Sequence, residues 1–158
     1  MKQLIFFSIL TSILSCSNVK NEKIDYIIFG FFCGECNEHC ATMYKLSDNY
    51  LLRDTTDNYF LNRGKLNNGF FVGDTMNKID FEMAKILIQK LPEQLRNNDG
   101  ETFGEPDNRD QCGIYIQVKV GGERNINTID TDLKKIPYGL QSYSILITSI
   151  ILDIENNE

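Results

Sequence analysis

A single histidine, His39, stands in the whole chain, and no Gly-x-Ser-x-Gly elbow accompanies it. A serine triad needs an imidazole beside its nucleophile, so no such triad can form away from the cysteine cluster that holds His39. Dense runs of lysine or arginine are also missing. With a formal charge of −6, that excludes nucleic acid as a partner, because phosphate backbones are bound by clustered cations. The apolar run Leu4–Leu14 falls well short of the ~18–20 residues needed to span a bilayer, so it is not a transmembrane helix. No internal repeat or low-complexity stretch is visible. Paired-carboxylate catalysis leaves no local spacing signature and stays open, so an enzymatic role is not expected but is not excluded.

What is present at the start of the chain is a leader. Lys2 supplies a short basic region, Leu4–Leu14 an apolar one, and Ile13-Leu14-Ser15-Cys16 closes it. That is the pattern of a bacterial signal peptide. The Ile-Leu-Ser-Cys ending resembles the lipobox of bacterial lipoproteins, in which the thiol is acylated before cleavage. Residues 1–15 are then the leader, and Cys16 is the lipid attachment site and first mature residue. Two or three acyl chains, at roughly 0.8 kcal/mol per buried methylene, hold a protein on a bilayer. The polar stretch behind Cys16, up to Lys23, reads as a flexible tether. About 140 residues remain, enough for one domain over 24–158 with a single core.

Along that domain, Ile24–Phe32 is almost entirely apolar, aromatic or β-branched and reads as a buried strand. Ala41–Leu46 and Tyr50–Asp54 flank Ser47-Asp48-Asn49, a turn signal, and predict a hairpin. Asn58–Gly73 reads as a loop with a short strand pinned by aromatic rings. Ile79, Met83, Ile86, Leu87 and Leu91 fall at helical spacing and predict a helix limited by Pro92, with Asp80 and Glu82 near its start and Lys85 and Lys90 near its end. Asn97–Gln111 reads as an exposed loop. Ile114–Val120, Gly121-Gly122 and Arg124–Ile129 form the clearest hairpin. Pro137 suits the first turn of a last helix whose apolar face is Leu140, Tyr143, Ile147, Ile150, Ile151 and Ile154. The expected fold is α+β, an antiparallel sheet of about five strands with two helices on one face, in the order β-β-β-α-β-β-α.

Four cysteines follow Cys16: Cys33, Cys36, Cys40 and Cys112. An even number in an exported domain points to disulfides, with three pairings open. Closing a loop of about 75 residues from the cluster to Cys112 stabilises by roughly 4 kcal/mol in the chain-entropy account. The competing readings use the cluster chemically. Cys33, Cys36, His39 and Cys40 are ligand types for zinc or copper(I), with Met43 as an added thioether, but the second close ligand pair of a structural zinc site is missing. A thioredoxin-type dithiol at Cys33 and Cys36 needs a helix N-terminus, whereas strand follows here, and Glu35 and Glu38 oppose the thiolate. Asp99, Glu101, Glu105, Asp107 and Asp110 make the loop 99–110 oxygen-rich, yet their spacing does not match an EF-hand and favours turn and capping roles. Asp130 and Asp132 read as a strand end and a helix start. No cofactor is expected.

The chain resembles small uncharacterised lipoproteins of the Bacteroidetes group. The likeness runs through Asp25-Tyr26-Ile27-Ile28-Phe29-Gly30, Tyr44-Lys45-Leu46, Arg53-Asp54-Thr55 with Asp57-Asn58-Tyr59, and Thr102-Phe103-Gly104 with Pro106-Asp107. It continues through Asp110-Gln111, Gly113 and Ile129-Asp130-Thr131. In that pattern cysteines equivalent to Cys36 and Cys40 recur, and a Cys-Pro-Asp-Cys often stands where this chain has Glu105-Pro106-Asp107-Asn108. The resemblance therefore implies a Cys36–Cys40 bridge and a Cys33–Cys112 bridge, and it implies no activity. In related bacteria an acidic run behind the lipidated cysteine accompanies export to the outer face. None stands here, which points to the periplasmic face of the outer membrane. The expected function is a lipid-anchored binding or interaction module of the cell envelope, its partners the membrane and an envelope protein or small ligand. The alternative is a thiol- or metal-dependent envelope protein, a metal carrier or redox enzyme.

Overall fold

Strand β1, Ile24–Cys33, is the centre of the molecule. A nearly unbroken apolar strand must be covered on both faces, and alternation divides it accordingly. Ile27 and Phe29 lie in a core shared with the helices, Ile28 and Phe32 in a smaller cluster on the opposite face. The computed structural model describes residues 22–33, 40–56, 60–61, 65–66, 71–106, 108 and 112–157. The leader, Cys16, Cys36, His39, Asp107 and Asp110 lie outside them.

The flanking strands follow the turn chemistry. β2 (Ala41–Ser47) and β3 (Leu51–Asp54) pair antiparallel with Tyr44 opposite Arg53. Between them the Asn49 N–H donates to Ser47 Oγ at 3.2 Å. β4 (Phe60–Leu61) and β5 (Lys65–Leu66) form a separate two-stranded sheet, and β6 (Gly73–Thr75) extends the main sheet beyond β3. Helices α1 (Lys78–Ala84), α2 (Ile86–Gln89) and α3 (Glu93–Asn97) come next, then β7 (Thr102–Phe103). β8 (Cys112–Val120) and β9 (Glu123–Asp130) form the predicted hairpin. Gly121 and Gly122 sit at φ 58° and 89°, the paired positive values that a two-residue turn of this twist requires. A 3₁₀ turn, Leu133–Lys135, leads into α4, Tyr138–Asn156.

The α+β class stands, and the apolar face expected of the last helix is buried at all six positions. Helix residues Ala84, Leu87, Leu95 and Ile147 share one core with Ile27, Tyr44, Ile116 and Ile129, which puts the helices on one face of the sheet. The strand inventory needs correction. The main sheet has seven strands in the order β6-β3-β2-β1-β8-β9-β7, and it is mixed, since β7 runs parallel to β9. The expected order leaves out β4–β7, although β4 and β5 fall in Asn58–Gly73, where one short strand was expected.

The extra strand β7 lies inside the stretch read as an exposed loop. Buried Asn127 explains how so polar a segment is held. Its Nδ2 donates to the carbonyls of Leu95 and Asn98, and its Oδ1 accepts from the Glu101 N–H at 3.1 Å. The helix predicted from Ile79 to Leu91 is also shorter and split. At its junction the Ile88 N–H bonds the Lys85 carbonyl at 3.2 Å, an i→i+3 contact that tightens the turn. The buried face is Asp80, Ala84 and Leu87, while Ile79 is 75 % exposed. Asp80 stands in the first turn of α1, as expected. It is fully buried, accepting from Asn77 Nδ2 at 2.7 Å and Asn157 Nδ2 at 3.2 Å. Pro137 precedes α4 as its N-cap rather than lying in its first turn.

Candidate functional site

One end of the sheet is covalently tied. Cys33 ends β1 directly opposite Cys112, the first residue of β8, and the two form a disulfide across 79 residues of sequence. Cys40 is disulfide-bonded as well, to a partner outside the described residues, and its carbonyl accepts from the Cys33 N–H at 2.8 Å. Two of the four ligands of the metal alternative, Cys33 and Cys40, are thus held as disulfide sulfurs rather than thiolates. The Cys33/Cys36 dithiol is corrected too, because Cys33 pairs with Cys112 and ends a strand.

Two of the described acidic residues of 99–110, Asp99 and Glu105, make side-chain contacts within the fold. Asp99 Oδ1 accepts from the Ile126 N–H at 2.8 Å. Glu105 accepts from Asn108 at 2.9 Å and pairs with Lys135 at 3.3 Å. The Asn108 amide, then Lys135, hold the Glu105 carboxyl below its ordinary value. Asp130 is fully buried, with one oxygen accepting from the Glu105 N–H at 2.9 Å and the other from the Asp132 N–H at 2.8 Å. Gly104, at φ 81°, passes so close that a Cβ there would lie 2.6 Å from the Asp130 Cβ. This aspartate clamps the β7 segment onto β9. Asp132 caps the 3₁₀ turn through the Lys134 N–H at 3.0 Å, the helix-start role expected of it.

The other end of the sheet, where β1 begins, carries a different constellation on the face away from the helices. Residues directly opposite one another in a sheet share a face. Tyr26 is opposite Lys119, Lys119 opposite Arg124, and Lys45 opposite Ile28, two residues along from Tyr26. The Lys45 ammonium sits 4.5 Å and that of Lys119 5.7 Å from the centre of the Tyr26 ring, within the range of cation–π attraction. Beneath them lies a buried polar relay. Tyr115 O–H donates to Gln117 Oε1 at 3.0 Å, and Gln117 Nε2 donates to Tyr26 Oη at 3.2 Å. The relay fixes the tyrosine ring between its two lysines. Among the described residues no carboxylate is in ion-pair contact with Lys45, Lys119 or Arg124.

Around the corner, on the helix side of the same end, Glu22, Arg96, Asn97, Val120, Glu123 and Asn125 line a cleft of about 200 Å³. That is below the ~300–1,000 Å³ usual for ligand pockets. Arg96 is already engaged there, donating to the Glu22 carbonyl. Among the described residues this end of the sheet therefore offers a half-buried cationic and aromatic strip beside a small cleft.

No protein-family model matches the chain, and no curated protein is significantly similar to it. The site has to be read from its own residues.

Sequence reasoning did not single out Tyr26, Lys45, Gln117, Lys119 or Arg124. They come from four strands, and no local motif joins them. The one signal available was strand alternation, which separates Tyr26 and Ile28 from Ile27 and Phe29 but does not say which strands are neighbours.

Proposed function

We propose that this chain is a lipid-anchored lipoprotein of the bacterial cell envelope, tethered through acylated Cys16 on the periplasmic face of the outer membrane, and that it acts as a binding module. The observation that carries the reading is the Cys33–Cys112 disulfide across the central strands, together with the disulfide state of Cys40. Such bonds persist in oxidising compartments outside the cytosol. The leader ending at Cys16 supplies the route to that compartment. Among the described residues no helix is long and apolar enough to cross a membrane, so attachment in this reading falls to the acyl chains. The strip of Tyr26, Lys45, Lys119 and Arg124 at the start of β1 offers a surface for a partner.

Fractionation tests the anchor. Wild-type protein is expected in the membrane fraction with acyl mass on Cys16, and Cys16→Ser in the soluble fraction. A serine variant that stays fully membrane-bound overturns the anchor. Free thiols at all four domain cysteines, with metal near one equivalent, would replace the binding module by the metal carrier.

A further inference from the structure

The cationic strip lies at the end of the domain nearest the tether. Seven residues, 17–23, separate Cys16 from β1, and fully extended they reach at most about 25 Å. Tyr26 is two residues into β1, with Lys119 and then Arg124 beside it in register. The start of β1 is therefore held within that distance of whatever surface Cys16 is inserted into, and the strip begins two residues further along.

Its charge contrasts with the rest of the molecule. The chain carries −6 overall, yet among the described residues Lys45, Lys119 and Arg124 share this stretch of sheet face without a carboxylate. By strand parity, among the described residues paired in the main sheet, the acids of this face are Asp54 and Asp130, both buried and both further towards the disulfide end. At the strand ends around the strip stand Asp25, Glu123 and Asp48, the last paired with Lys23. An anionic surface repels that rim and attracts the strip, so contact is favoured face-on rather than end-on. Tyr26, an amphipathic ring between two cations, suits a headgroup layer.

We propose that the strip of half-buried Tyr26, Lys45 and Lys119 with exposed Arg124 docks on the anionic phospholipid headgroups of the bilayer that anchors the chain, bringing this end of the sheet face onto the membrane. The proposal rests on the lipid anchor proposed above, and the experiment separates the two.

Mature protein purified from membranes is reconstituted into vesicles of phosphatidylcholine, with or without phosphatidylglycerol, and its lysines are acetylated briefly and mapped by mass spectrometry. Lys45 and Lys119 are expected to be protected only in the anionic vesicles, while Lys90, an exposed residue at the end of α2, labels equally in both. High salt is expected to remove the protection. Arg124→Gln is expected to weaken it about fivefold, the effect of one cation near an anionic leaflet, without moving the denaturation midpoint. Equal labelling of Lys45 and Lys119 in the two vesicle types overturns the proposal. So does equal protection by millimolar inorganic phosphate in detergent, which assigns the strip to a soluble phosphorylated ligand. A chain without acyl mass that pellets with anionic vesicles alone keeps the strip and loses the anchor, and one that pellets with neither loses both.

Discussion

Asp130 shows how a carboxylate that reads as a surface strand end becomes a structural clamp. Both its oxygens accept backbone N–H groups, from Glu105 and Asp132, in a setting with no exposed surface. Removing a charged acceptor and leaving those donors without it costs about 2–3 kcal/mol. Asp130→Ala is therefore expected to destabilise by that amount in denaturant melts, with hydrogen exchange at the Glu105 amide rising more than at β1 amides. Glu105→Gln changes only an exposed pair and is expected to shift stability by less than about 0.5 kcal/mol. Apolar positions divide as sharply. Leu87 and Ile147 have no exposed surface, whereas Ile79 is 75 % exposed. Leu87→Ala and Ile147→Ala are expected to cost about 2–5 kcal/mol, and Ile79→Ala less than about 0.5 kcal/mol. Equal midpoints for all three in urea would contradict the burial pattern.

At the level of elements, the disulfide joins the two most central strands. Cys33→Ala and Cys112→Ala remove the same bond and are expected to lose stability equally, by roughly 4 kcal/mol in the chain-entropy account. Thiol counting with denaturant melts checks this, and unequal losses would show that one cysteine has another role. Both hairpins of the main sheet and the last helix were legible because their signals are local. Turn residues stand between alternating strands, and six apolar positions recur along one helical face. β7 was not legible, because it is made by pairing with β9 and by the side chain of Asn127, neither of which leaves a mark in residues 97–111. The α1–α2 break was hidden for a related reason. Ile79 and Ile86 fit the helical period as well as Leu87 does, and only the position of α4 and the sheet decides which of them is covered. At the candidate site the cysteines were conspicuous, while the cationic strip exists only once β1, β2, β8 and β9 are placed in register.

The whole molecule is a two-faced sheet with unlike coverings. Helices bury one face in a single large core, and the other carries a small cluster around Ile28, Phe32, Met43 and Tyr115 that gives way to the cationic strip near the start of β1. Space on that second face is tight at its centre, where a Cβ on Gly30 would fall 2.7 Å from the Met43 Sδ.

The position of β1 also bears on how the chain is made. It is the first of the described strands in the chain, yet its neighbour β8 starts at Cys112. Until residues 112–120 emerge, the apolar edge of Ile27–Phe32 can be covered only from the β2 side. Contacts so distant in sequence form slowly and leave strand edges open to wrong pairing. The nascent chain therefore passes through a long interval with that edge unpaired, and the β1–β8 pairing closes it.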